Sequence, residues 1–135
     1  MSKLTHILLV CNNFPPTPGI GGRRWAKLSK GLAAEGVKVT VLKAQGNGQL
    51  DQTWIDDISS TNIKIEEYQS RYPTILANGP TTPAQKIKYR LSLMKMLLVN
   101  KGTPYDIGFG NYGCIKQGLT KLFSENKFDA ITIDF

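Results

Sequence analysis

The sequence predicts an α/β fold, a parallel sheet with helices on both faces. Three observations carry this. "HILLVC" (residues 6–11) is a continuous β-favouring apolar run, as in a strand buried on both faces. An amphipathic segment follows from Gly21 and stops at Gly36, and "VKVTVL" (37–42) then alternates like a second strand. Strand, helix and strand in so short a stretch form a βαβ unit, whose two strands run parallel.

In the first helix Trp25, Leu28 and Leu32 recur at i, i+3 and i+7 with Ala33 beside them, so they define its core face. Gly36 is placed to cap its C-terminus. Residues 43–62 are polar and turn-rich, with room for one short helix around Trp54 to Ile58, and "IKIEEY" (63–68) reads as a third strand. Pro73, Pro80 and Pro83 exclude a long regular element over 72–83. Thr82-Pro83 is a helix start, a hydroxyl cap followed by proline in the first position.

The segment 84–102 is the strongest helix and carries two apolar stripes. Ile87, Leu91, Met94 and Leu98 make one; Tyr89, Leu93 and Met96 make the other, nearly opposite. Lys86 and Arg90 lie between them on one flank, Lys88 and Lys95 on the other. A helix on a sheet needs one stripe; the second is either covered by the preceding loop or exposed to a partner. A last helix spans 110–126 with Tyr112, Ile115, Leu119 and Leu122 on one face, and "FDAITIDF" (128–135) supplies a fourth strand.

The 135 residues suffice for a single α/β domain with a real core, and 41% hydrophobic with 20% charged residues is ordinary globular composition. No apolar run approaches the ~20 residues that span a bilayer. The start "MSKLTHILLVCNN" lacks a small-residue cleavage site and reads as a strand rather than a leader. Cys11 and Cys114 lack CxxC spacing and are expected as two buried, reduced thiols, which predicts a cytoplasmic protein. With His6 the single histidine, no metal site of clustered His and Cys is available, and no cofactor is implied. A net charge of +7 favours anionic partners. Nucleic acid is disfavoured, because no RNP-like aromatic pattern or DNA-reading motif is present.

The segment joining the first strand to the first helix, "CNNFPPTPGIGGRRW" (11–25), is longer and stiffer than connectivity requires. It belongs at the carboxyl end of the sheet, where open α/β folds bind ligands. Gly21 and Gly22 let a ligand approach their N–H groups at a helix N-terminus, which favours an anion. Arg23 and Arg24 add forked donors suited to phosphate oxygens. The competing reading is a solvated arginine pair after glycines that merely turn the chain. Against it, arginine is electrostatically unfavourable in a first helical turn. No GxxxxGK[ST] pattern is present, and the glycines stand too far from the strand for a dinucleotide fingerprint. Lys43 occupies the position where a ribose-binding carboxylate would be wanted, so NAD is disfavoured.

Residues 7–44 resemble the opening of the retaining GT-B-fold glycosyltransferases, of the glycosyltransferase family 4-like, group 1 type. Phe14, Pro15, Pro16, Gly21, Gly22, Leu28, Leu32, Gly36, Val37, Val39 and Val41 carry the likeness, and 105–135 resembles a later part of the same half more loosely. The resemblance implies the N-terminal, acceptor-side half of a two-part, Rossmann-like enzyme that moves a sugar from a nucleotide-sugar donor to a hydroxyl acceptor. Polysaccharide or lipid-linked glycan synthesis is the setting it suggests, with the two-striped basic helix suited to peripheral contact at the inner face of a membrane. It also implies that Gly21 and Gly22 lie against the donor diphosphate, with Arg23 or Arg24 offsetting its charge. The family's donor-binding glutamates belong to a C-terminal half absent from this chain, so these 135 residues alone are expected to be inactive, and no catalytic residue is assigned. His6, at the opposite end of the sheet, does not take the role of the family's active-site histidine. The reading of a different class is a non-enzymatic α/β module that uses the same loop for an anionic metabolite or partner.

Overall fold

A computed structural model describes residues 4–46, 51–100 and 105–135. Within them the chain divides into two compact units, one running up to Gln69 and resuming at Ile115–Phe135, the other Ser70–Cys114.

The first unit holds a four-stranded, all-parallel, Rossmann-like sheet of β1 (His6–Cys11), β2 (Lys38–Ala44), β3 (Ile63–Tyr68) and β4 (Ala130–Asp134). Its spatial order is β3-β2-β1-β4. β1 lies between two partners, with Leu9 opposite both Val41 and Thr132. That position explains its unbroken apolar run, since Leu8, Leu9, Val10 and Cys11 are all buried. On one face α1 (Ile20–Ala34) covers Leu9, Cys11, Val39, Val41 and Ile63, with Phe14, Ala26 and Ala33 completing the core. On the other face α6 (Tyr112–Glu125) buries Ile115 and Leu122. It comes so near the sheet at Gly118 that a Cβ there would stand 3.1 Å from Leu42.

Gly36 caps α1 as expected, at φ 79°, with Gly36 N–H donating to Ala33 O (3.1 Å) and Val37 N–H to Leu32 O (3.0 Å). The face of α1 differs from the sequence expectation. Gly22, Ala26, Ser29 and Ala33 are its buried residues, Trp25 and Leu32 only border them, and Leu28 is 50% exposed. Close approach of helix to sheet selects small side chains, so the face that fits is not the one marked by the large apolar residues Trp25, Leu28 and Leu32. Tyr112 is exposed rather than core-facing, because α6 enters the sheet-bearing unit only from Ile115 onward. The short helix near Trp54 is a 3-10 turn (Gln52–Trp54) running into α2 (Ile55–Ile58); residues 47–50 of the preceding polar stretch lie outside the described residues.

The second unit contains α3 (Thr74–Asn78), α4 (Pro83–Asn100) and α5 (Ile107–Gly110). The Thr82-Pro83 start is a capping box: Gln85 N–H donates to Thr82 Oγ1 (3.3 Å), while Gln85 Oε1 accepts from Thr82 N–H (3.3 Å) and also from Thr81 N–H (2.8 Å). Fully buried Asn111 organises the entry to the unit, its Oδ1 accepting from Arg71 N–H (2.8 Å), Tyr72 N–H (3.3 Å) and Ser70 Oγ (3.1 Å). Of the two stripes on α4, Tyr89, Leu93 and Met96 are the half-buried one. Tyr89 OH meets Tyr105 OH at 3.1 Å, and Met96 packs beside Gly110. The Ile87, Leu91, Met94, Leu98 stripe is the exposed one. The last two residues of the 84–102 segment lie outside the described residues.

Candidate anion site at the carboxyl end of the sheet

β1 delivers the chain to the carboxyl edge of the sheet at Cys11, and α1 carries it away from Ile20. The connection between them is held at several points. Phe14 and Pro15 are buried, Thr17 N–H donates to Phe14 O (3.0 Å) across a turn, and the Pro15–Pro16 peptide is cis. Lys43 reaches up from the end of β2. Its ammonium is almost wholly buried, paired with Glu67 Oε1 at 2.9 Å and donating to Thr17 Oγ1 at 3.3 Å. Asp51 N–H donates to Pro16 O at 2.7 Å. The stiffness expected from the prolines is therefore reinforced from β2 and from the segment after it.

The N-terminus of α1 is bare. Gly19 is its N-cap, in an extended conformation open only to glycine (φ 147°, ψ 142°), and no side chain caps the helix. The intrahelical ladder begins with Arg23 N–H to Gly19 O (3.3 Å), so the N–H groups of Ile20, Gly21 and Gly22 precede it.

The four candidate residues separate into two pairs with different surroundings. Gly21 is exposed, and a Cβ built on it meets nothing within 4 Å. Gly22 is buried, and its Cβ would stand 3.1 Å from both Asn13 O and Phe14 Cα. Close packing of helix on loop therefore leaves little room for a side chain at Gly22. Arg23 turns from the opening: its guanidinium pairs with Asp51 at 2.8 Å and lies 5.1 Å from the Trp54 ring. Hydrogen bonds from Thr53, and then from Arg23, hold the Asp51 carboxyl below the usual carboxylate range. Arg24 is exposed and lines an open pocket of ≈ 320 Å³ with Gly21, Trp25, Leu28 and Asp134. Trp25 Nε1 donates to the Asp134 carboxylate, which ties α1 to the end of β4.

One wall of this pocket thus carries the dipole end of α1 and a guanidinium, and the other carries a carboxylate. Such a pair of walls suits a molecule that is anionic at one end and bears hydroxyl donors at the other. Cys11, the ladder partner of Asp134, is buried. Burial, reinforced by Asp134 and opposed by Lys43, pushes its thiol up to about 12. Cys114 is half-buried rather than buried, and both thiols are free. His6 sits at the amino end of the sheet, its Nε2 2.8 Å from Thr40 Oγ1 and its ring against Phe128.

No protein-family model matches the chain, and no curated protein or solved structure matches it either. The Rossmann-like parallel sheet is a statement of fold, and fold alone leaves function to the site. Among the described residues no group of three or more His, Cys, Asp or Glu is placed to hold a metal ion, and no helix is long and apolar enough to cross a membrane.

Several residues that build the site carried no role in the sequence reading. Asp51 and Trp54 occupy Arg23 from a distant polar stretch, a pairing that no local pattern encodes. Asp134 was open to detection as the last residue of a strand at the ligand-binding edge of a parallel sheet.

Proposed function

We propose that this chain is the N-terminal, acceptor-side half of a nucleotide-sugar-dependent glycosyltransferase. The donor diphosphate lies against Gly21 at the start of α1, with Arg24 beside it and Asp134 accepting from a sugar or acceptor hydroxyl. One observation carries the reading: the uncapped, glycine-led N-terminus of α1 opens at Gly21 onto a pocket shared with an exposed arginine. The order F-P-P, glycine pair, arginine in the loop adds the family resemblance to that geometry.

Gly22 and Arg23 take supporting parts. Gly22 seats the helix on its loop, and Arg23 fastens the helix start to Asp51. Arg24 supplies the free charge that would stabilise a leaving diphosphate as the sugar–phosphate bond breaks.

The test is a titration of the chain with inorganic pyrophosphate and a panel of nucleoside diphosphates, followed by the amide resonances of residues 20–24. The expected result is localised shifts there, with Arg24→Ala weakening binding about tenfold, or ~1.4 kcal/mol. Arg23→Ala should instead lower thermal stability and leave affinity nearly intact. Absence of shifts at 20–24, or equal affinity in Arg24→Ala, overturns the site. Diphosphate binding without sugar transfer by any longer protein carrying this domain would favour the non-enzymatic module.

A further inference from the structure

Among the described residues Lys43 is the one charged residue that is buried, its side chain 2% exposed. It stands next to last in β2, opposite Cys11, where the loop leaves β1, and opposite Glu67 of β3. Burying an ammonium is costly unless it is paired, and such a pair adds little stability over an apolar residue of similar length. Glu67 is 44% exposed, so water would still solvate its carboxylate if the lysine were absent. Fold stability therefore gives no reason for a lysine here. What the ammonium does that an apolar side chain cannot is donate to Thr17 Oγ1, at 3.3 Å. Thr17 is confined from a second side as well, since a Cβ built on Gly46 would stand 2.9 Å from the same oxygen. The turn that Thr17 N–H closes onto Phe14 O leads two residues later to Gly19, the N-cap of the bare start of α1.

We propose, building on the anion-site reading above, that Lys43 is a positioning residue for that site. Through the Thr17 hydroxyl it fixes the turn that sets Gly19, Ile20 and Gly21 for a diphosphate. Neither Lys43 nor Thr17 lines the pocket, whose walls are Gly21, Arg24, Trp25, Leu28 and Asp134. Glu67 neutralises the ammonium at 2.9 Å, so the lysine acts by where it holds Thr17 and not by adding charge to the pocket. Because Thr17 and Lys43 are 26 residues apart, the end of β2 thereby sets the geometry of a loop that β1 and α1 alone leave undetermined.

The experiment measures three quantities on the full chain: affinity for inorganic pyrophosphate by calorimetry, urea stability, and the amide resonances of residues 17–22 without ligand. Lys43→Met should keep the urea midpoint near that of wild type and shift those unliganded resonances. Its affinity should fall about tenfold, the scale of one charged hydrogen bond. Thr17→Val keeps the charge and removes only the hydroxyl, so it should lower affinity equally. The double variant should lose no more than either single one, and Thr17→Ser should bind like wild type. Wild-type chain that does not bind pyrophosphate overturns the anion-site reading and this inference with it. Where wild type binds, a folded Lys43→Met or Thr17→Val that binds equally well overturns this inference alone. Additive losses in the double variant would mean two unconnected effects, and overturn it likewise. A collapsed urea midpoint in Lys43→Met, together with normal binding in Thr17→Val, assigns the lysine to the fold and overturns it too.

Discussion

Gly21 and Gly22 are adjacent glycines with opposite surroundings, and substitution separates their roles. A methyl group at Gly22 must displace backbone atoms of Asn13 and Phe14 that stand 3.1 Å away, and backbone yields less readily than the end of a side chain. Gly22→Ala should therefore destabilise by ~1–3 kcal/mol, the usual cost of overpacking. A methyl at Gly21 points into open space and replaces a poor helix former, so Gly21→Ala should leave stability within about 0.5 kcal/mol or raise it slightly. Urea denaturation of the two variants checks both. Equal destabilisation would mean that packing against the loop dictates both glycines. The two glycines therefore probe different things, Gly22 the seating of the helix on its loop and Gly21 the exposed start of α1.

At the scale of elements, the amino end of the sheet makes a pH-dependent joint. His6 on β1 meets Thr40 on β2, and its imidazole lies below its ordinary pKa through burial first and the charge of Lys38 second. The folded protein therefore binds fewer protons at His6 than the unfolded chain does, so stability rises with pH through this window. The contribution is complete above the ordinary histidine value of ~6.5 and is lost as pH falls through the lowered folded one. The urea midpoint should accordingly decline between neutral and mildly acidic pH, and His6→Gln should flatten that decline. Asp129 acts in a lower window. Hydrogen bonds from Thr5 and His6 hold its carboxyl below the usual range, so its contribution disappears only on further acidification. A decline that survives intact in His6→Gln would assign the joint's pH response to another group.

For the sheet-bearing unit as a whole, the order β3-β2-β1-β4 gives β1 and β2 two partners each and leaves β3 and β4 with one. Amide exchange should be slowest in Leu8–Cys11 and Val39–Lys43 and faster in β4, whose Ile131 and Ile133 are also exposed. Stronger protection of β4 than of β1, measured by hydrogen–deuterium exchange, would contradict this ranking. Much of this layout was legible in the residues. Strands read at 6–11 and 63–68 coincide with β1 and β3, and those read at 37–42 and 128–135 shift only at their ends. β-Branched and apolar runs bounded by turn residues are local signals, and so is Gly36, which a Schellman turn requires. The parallel fold class, the stiff loop at the carboxyl edge of the sheet and the two stripes of α4 were thus determined by sequence, because neighbouring residues encode them. Only tertiary structure decided which arginine is free, since Asp51 and Trp54 claim Arg23 across a stretch that no periodicity links to α1. It also decided which stripe of α4 faces outward and which face of α1 is buried. Those outcomes depend on what packs against each helix, and residues as small as Gly22, Ala26 and Ser29 announce that contact by fit rather than by hydrophobicity.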